Sequence, residues 1–126
     1  MGKKIMVVDD DPVHTMVLEE KIRKTGLADQ VLVFYQSEEA LRFLHDCPES
    51  QLPDVLLVDI NMPDMNGWDF LDNYADLPHK QSTQVYMISS STARREKARA
   101  LAEPHVSGCL HKPVTGQQLV GILALA

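Results

Sequence analysis

The chain has 126 residues, room for one domain with a single core, and its 44% hydrophobic and 24% charged residues are ordinary for a soluble globular protein. A formal charge of −6 argues against nucleic-acid binding, which favours a basic surface. Cys47 and Cys109 form no CxxC pair, no Cys/His zinc spacing occurs, and "MGKKIM" precedes no apolar run of signal or bilayer length, so the expectation is a cytoplasmic protein without membrane or disulfides.

"KIMVV" is a first strand, closed by Asp9, Asp10 and Asp11. Asp11 then reads as the N-cap and Pro12 as the first residue of a helix whose stripe is Val13, Val17, Leu18 and Ile22, stopped by Gly26. "QVLVFY" is the second strand, and Ser37 is the expected cap of "EEALRFLHD", with Leu41 and Leu44 inward. After the loop "CPESQLPD", "VLLVDI" is a third strand too uniformly apolar to have a wet face. "NMPDMNG" turns into the short helix "WDFLDNY", and "QVYMISS" is the fourth strand. "TARREKARALAE" is a helix with a solvated basic face, and "VSGCLH" is the fifth strand. Thr115 and Gln118 make a capping box for a last helix striped by Leu119, Ile122 and Leu123.

Strands alternating with helices predict an α/β fold, a parallel sheet covered on both faces, with ligands bound at the carboxyl ends of the strands. Those ends carry Asp9 and Asp10, then Asp59, then Ser89 and Ser90, then Lys112-Pro113. Three acids, a hydroxyl and an ammonium therefore meet on one rim. Two unit charges about 4 Å apart cost roughly 4 kcal/mol at an effective dielectric of about 20, so crowded carboxylates call for a cation.

"VVDDDP", "LLVDINMPDMNG", "MISSS" and "LHKP" stand in the order and spacing of one family. Over essentially its whole length, 1–126, the chain resembles a response regulator receiver domain, with no output domain expected in it. The resemblance implies a doubly wound five-stranded sheet in the order 2-1-3-4-5 with five flanking helices. It implies that Asp59 takes a phosphoryl group from a phosphohistidine, the donor being a sensor histidine kinase or a histidine phosphotransfer protein. Mg2+ or Mn2+ is the implied cofactor, with Asp10 and Asp59 as direct ligands, Asn61 as a ligand through its backbone carbonyl and Asp9 as a partner mainly through water. Lys112 is implied to pair with Asp59 and then with the phosphate, Ser89 to donate to a phosphoryl oxygen, and Lys112-Pro113 to be cis. A carboxylate is a competent nucleophile for this transfer, and positioning plus charge neutralisation carry most of the catalysis.

Other readings fit less well. A haloacid-dehalogenase phosphatase needs a second acid where Asn61 stands, and a nucleotide-binding module needs a glycine-rich loop that "DDDPVHT" lacks. A receiver-like binding domain that never takes phosphate is the strongest alternative, although such a domain usually loses an acid or the lysine. His14 reads as an exposed helical residue rather than a second phosphate carrier, Trp68 as helix packing, and Asn66-Gly67 as a turn. Asn61 and Ser91 flank the path of an attacking water and are expected to tune phosphate lifetime. At Cys109 the chain departs from the family, which usually has an aromatic switch residue there, so Ser89 is expected to reshape the loop before the fourth helix without such a reporter. The apolar "ILALA" leaves a homodimer face, a docking face for a downstream protein and truncation open.

Overall fold

The computed structural model describes residues 2–62, 65–77, 83–90 and 94–125. Among them, five strands and five α-helices alternate: β1 (Lys3–Val8), α1 (Pro12–Lys24), β2 (Ala28–Phe34), α2 (Ser37–Asp46), β3 (Val55–Asp59), α3 (Gly67–Ala75), β4 (Gln84–Ser89), α4 (Arg94–Ala102), β5 (Val106–His111) and α5 (Gly116–Leu125). One 3-10 turn, Glu49–Gln51, interrupts the approach to β3. The strands form one parallel sheet in the order β2-β1-β3-β4-β5, the expected doubly wound topology.

The period-2 alternation of the strands divides the core in two. Met6, Val8, Leu56, Val58, Val85 and Met87 face Ala40, Leu44, Phe70, Leu71, Tyr74 and Ala100 from α2, α3 and α4. Ile5, Val7, Leu57 and Ile88 face Leu18, Ile22, Leu119, Ile122 and Leu123 from α1 and α5. β3 is buried along its entire length, as its unbroken apolar run requires.

Three sequence expectations are corrected. Val13 and Val17 of α1 are 65% and 44% exposed, while the buried stripe is Thr15, Leu18 and Ile22. Apolar residues cover so wide an arc of α1 that periodicity alone does not choose the inward side. Thr15 can be buried because its hydroxyl donates to the Pro12 carbonyl at 3.0 Å. Ser37 is the first helical residue of α2, not its cap, and donates instead to the Met65 carbonyl at 3.0 Å. β2 starts at Ala28, ahead of the expected Gln30.

The remaining punctuation is as read. Asp11 caps α1 by accepting from the backbone of Val13 and His14, and Gly26 takes φ +70° just beyond the helix. Thr115 and Gln118 bond reciprocally at the start of α5, and Lys112-Pro113 is cis.

Register aligns the strand ends. Val8 pairs with Val58, Asp59 with Ile88, and Ser89 with His111. Asp9, Asp59 and Lys112 therefore leave the sheet on one edge. β1 is followed in sequence by β2 on one side and neighbours β3 on the other, so the crevice lies between the ends of β1 and β3.

Candidate acidic site at the sheet rim

Asp9 and Asp59 are almost wholly buried, at 0% and 3% exposure, and Asp10 is half-buried between them in sequence. Carboxylate oxygens of Asp9, Asp10 and Asp59 all lie within 4.8 Å of one another. One ammonium enters the cluster. Lys112 Nζ donates to Asp59 Oδ2 at 2.9 Å and stands 3.4 Å from Asp9 Oδ2.

Backbone groups fix the acids from below. Asp59 Oδ1 accepts from the Asn61 amide at 3.0 Å, and Asp9 Oδ1 accepts from the Asp11 amide at 2.9 Å. The Lys112 amide donates to the Ser89 carbonyl at 2.9 Å, which holds the lysine beside the end of β4. Gly67 matters sterically, because a Cβ there would stand 2.8 Å from Ile60 Cα and 2.9 Å from the Asp59 carbonyl oxygen. The chain returns so closely over the end of β3 that only a hydrogen fits, and the Gly67 amide uses the approach to bond the Ile60 carbonyl at 2.8 Å. Asn66 caps α3 by accepting from Asp69.

Burial pushes the Asp59 carboxyl above the ordinary aspartate range; Lys112 and Asn61 pull it back, and the charge of Asp9 pushes it further. Burial alone would lower the Lys112 ammonium, but its bonds and charge pairing with Asp59 and Asp9 outweigh that and hold it above the ordinary lysine value. The lysine is thus fully charged, and the acids remain crowded. Among the described residues, three carboxyl groups gather around one ammonium, so acids outnumber that cation on a donor set made of oxygens. That set fits a hard divalent cation such as Mg2+.

Asp9, Asp10, Asp59 and Lys112 are brought together by distance. Ser89 is buried at the end of β4, one residue past the partner of Asp59, and Asn61 is exposed just beyond β3. Cys109 lies deeper, opposite Met87, half-buried against the α2–α3–α4 core. Ser91 and the loop residues 91–93 lie outside the described residues.

His14 is corrected. Its side chain is only 15% exposed, and its Nδ1 lies 2.6 Å from Asp9 Oδ2. A first-turn helical side chain leans toward the N-terminus and so toward the acids, but whether His14 reaches Asp9 depends on the angle at which the helix leaves the strand, which the sequence does not give. Trp68 packs against the core as expected, and its outer face is covered by the Arg99 guanidinium, 4.2 Å from the ring centroid.

The family model described as response regulator receiver domain matches residues 5–124. The chain is 32% identical over 117 residues to the transcriptional regulatory protein CpxR of Klebsiella pneumoniae, covering 93% of this chain and 46% of that protein. It is 29% identical over 128 residues to the signal transduction histidine-protein kinase BarA of Escherichia coli K12, covering 98% of this chain and 13% of the kinase. The chain thus spans less than half the length of either relative. Among solved structures, a response regulator receiver protein from Dyadobacter fermentans superposes with a TM-score of 0.87 at 29% identity, covering 97% of this chain and 95% of the other. No helix among the described residues is long and apolar enough to cross a membrane.

Proposed function

The chain belongs to the response regulator receiver domain family, and from that premise we propose that it is a Mg2+-dependent switch phosphorylated on Asp59 by a phosphohistidine donor. The observation that carries this reading is the 2.9 Å pairing of Lys112 with Asp59 inside a cluster of three acids. An Asp59 oxygen attacks phosphorus, a P–O bond forms as the P–N bond of the donor breaks, and the donor imidazole leaves with the electron pair. Lys112 then moves its contact from the carboxylate to the phosphoryl oxygens, and the Ser89 hydroxyl donates to one of them. Asp10, Asp59 and the Asn61 carbonyl would hold the divalent ion, with Asp9 reaching it mainly through water. When bound, the ion supplies positive charge at the phosphoryl oxygens, which is where transfer chemistry needs it.

Asp59 ends β3, which pairs with β1 on one side and β4 on the other, and this supports a nucleophile that needs little reorganisation. The product acts by favouring one conformation over another through differential contacts with a downstream protein. A sensor histidine kinase or a histidine phosphotransfer protein is the fitting donor class, and the cytosol the fitting compartment. Cys109 stands where an aromatic reporter is usual, which leaves movement of Ser89 as the primary signal.

Incubation with acetyl phosphate and Mg2+, followed by intact mass, tests the reading. One phosphoryl addition is expected, absent in Asp59→Asn and absent with a chelator. An addition that persists in Asp59→Asn overturns the assignment. No addition at all favours a receiver-like binding domain that works without phosphate.

A further inference from the structure

Asp9 is the most heavily engaged carboxylate of the cluster. Its Oδ1 accepts from the Asp11 amide, and its Oδ2 faces both His14 Nδ1 at 2.6 Å and Lys112 Nζ at 3.4 Å. A carboxylate only accepts, so Nδ1 of His14 carries the hydrogen whatever the state of Nε2. Among the described residues, Asp10 has no comparable donor contact, and Asp59 shares its oxygens between Lys112 and one backbone amide. The two partners of Asp9 Oδ2 come from opposite sides of the sheet order, His14 from α1 and Lys112 from the segment after β5. A cation reaches that oxygen directly only by displacing one of them.

We propose that His14 is a positioning residue that occupies Asp9 Oδ2, keeps this carboxylate out of direct contact with the divalent ion, and so weakens the ion's affinity. The inference rests on the ion site read above and adds what sets its strength. A hydrogen bond to a charged acceptor is worth more than a neutral one, so its removal returns a buried anionic oxygen to the cation. The position of the donor is what counts. Asn places its amide nitrogen near where an imidazole Nδ1 stands, whereas Leu fills the space and donates nothing.

The test is calorimetric titration of the full chain with MgCl2, for the wild type, His14→Leu, His14→Ala and His14→Asn. The two variants without a donor are expected to bind Mg2+ roughly three- to tenfold more tightly, on the scale of one net hydrogen bond. His14→Asn is expected to stay within about twofold of the wild type on the same scale. His14→Ala, which favours the helix, keeps the test intact where Leu misfolds, and thermal melts in EDTA verify folding. Unchanged or weaker binding in the donor-less variants, with a wild type that binds, overturns this inference alone. An Asn variant that behaves like Leu does the same. A wild type that takes no Mg2+ overturns both this inference and the ion site beneath it.

Discussion

Helices α1 and α4 border the same rim, yet they are held to the sheet by different means. α1 buries Thr15, Leu18 and Ile22, is capped by Asp11, bonds Asp9 through His14, and ties to the segment before α5 through Lys21 Nζ on the Val114 carbonyl at 2.9 Å. α4 buries Ala100 alone among its described side chains and leaves Leu101 58% exposed. Its further tie is the Arg99 guanidinium over Trp68 of α3. The acids that must stay put are built on the strongly docked side, and β4 leads from buried Ser89 toward the weakly docked one. Local stability follows buried apolar contact, so α4 has the lower cost of moving.

The sharpest break of this contrast comes from paired truncations. Ile22→Ala empties a fully buried site and is expected to cost roughly 4 kcal/mol, whereas Leu101→Ala is expected to stay within about 0.5 kcal/mol of the wild type. Urea midpoints measure both, and comparable losses would erase the distinction between the helices. Next in size is Lys112→Met. It leaves Asp9 and Asp59 without their shared ammonium, and the buried pair is expected to cost about 3 kcal/mol in EDTA. Saturating Mg2+ should recover a large part of that loss, since binding to the folded state alone stabilises by mass action. A loss that Mg2+ leaves untouched would mean the lysine holds the fold rather than the charge balance.

Gly67→Ala probes the return of the chain over β3, between the two regimes. The new Cβ would press on the backbone of Asp59 and Ile60, which cannot yield as a side chain tip would. Overpacking of this kind is expected to cost about 2 kcal/mol and to slow phosphorylation of Asp59 by displacing it. A melting temperature equal to that of the wild type would show that the loop has room the geometry denies.

Much of the rim was legible because strand ends are. An apolar run fixes where a parallel strand stops, register aligns neighbouring stops, and so Asp9, Asp59 and Lys112 had to share an edge once the sheet was inferred. The capping box at Thr115 and Gln118 was legible for a similar reason, since both partners lie within one turn. Three features were not. Ser37 has the composition of a cap, but a tertiary acceptor at Met65 outcompeted the local one. Val13 and Val17 share an apolar arc with Leu18, and only the direction of the sheet decides which part of that arc is covered. His14 meets Asp9 across the loop between β1 and α1, a contact that depends on the angle at which the helix leaves the strand.

The smallest effect speaks most directly to α4. Arg99→Ala removes a cation–π contact at an exposed face, expected to be worth about 0.5 kcal/mol. That contact exists in the native state, so its loss lowers global stability by the same amount whichever way α4 opens, and amides that exchange through an opening that breaks it speed up about twofold, the factor that 0.5 kcal/mol represents. If α4 opens as its own unit, its amides exchange faster than those of α1 already in the wild type, and their exchange depends little on low urea because little surface is exposed. If α4 opens only with the whole domain, the amides of both helices report one opening free energy with the full urea dependence of global unfolding. Hydrogen exchange followed by mass spectrometry on peptides from the two helices, at rising urea, separates these cases.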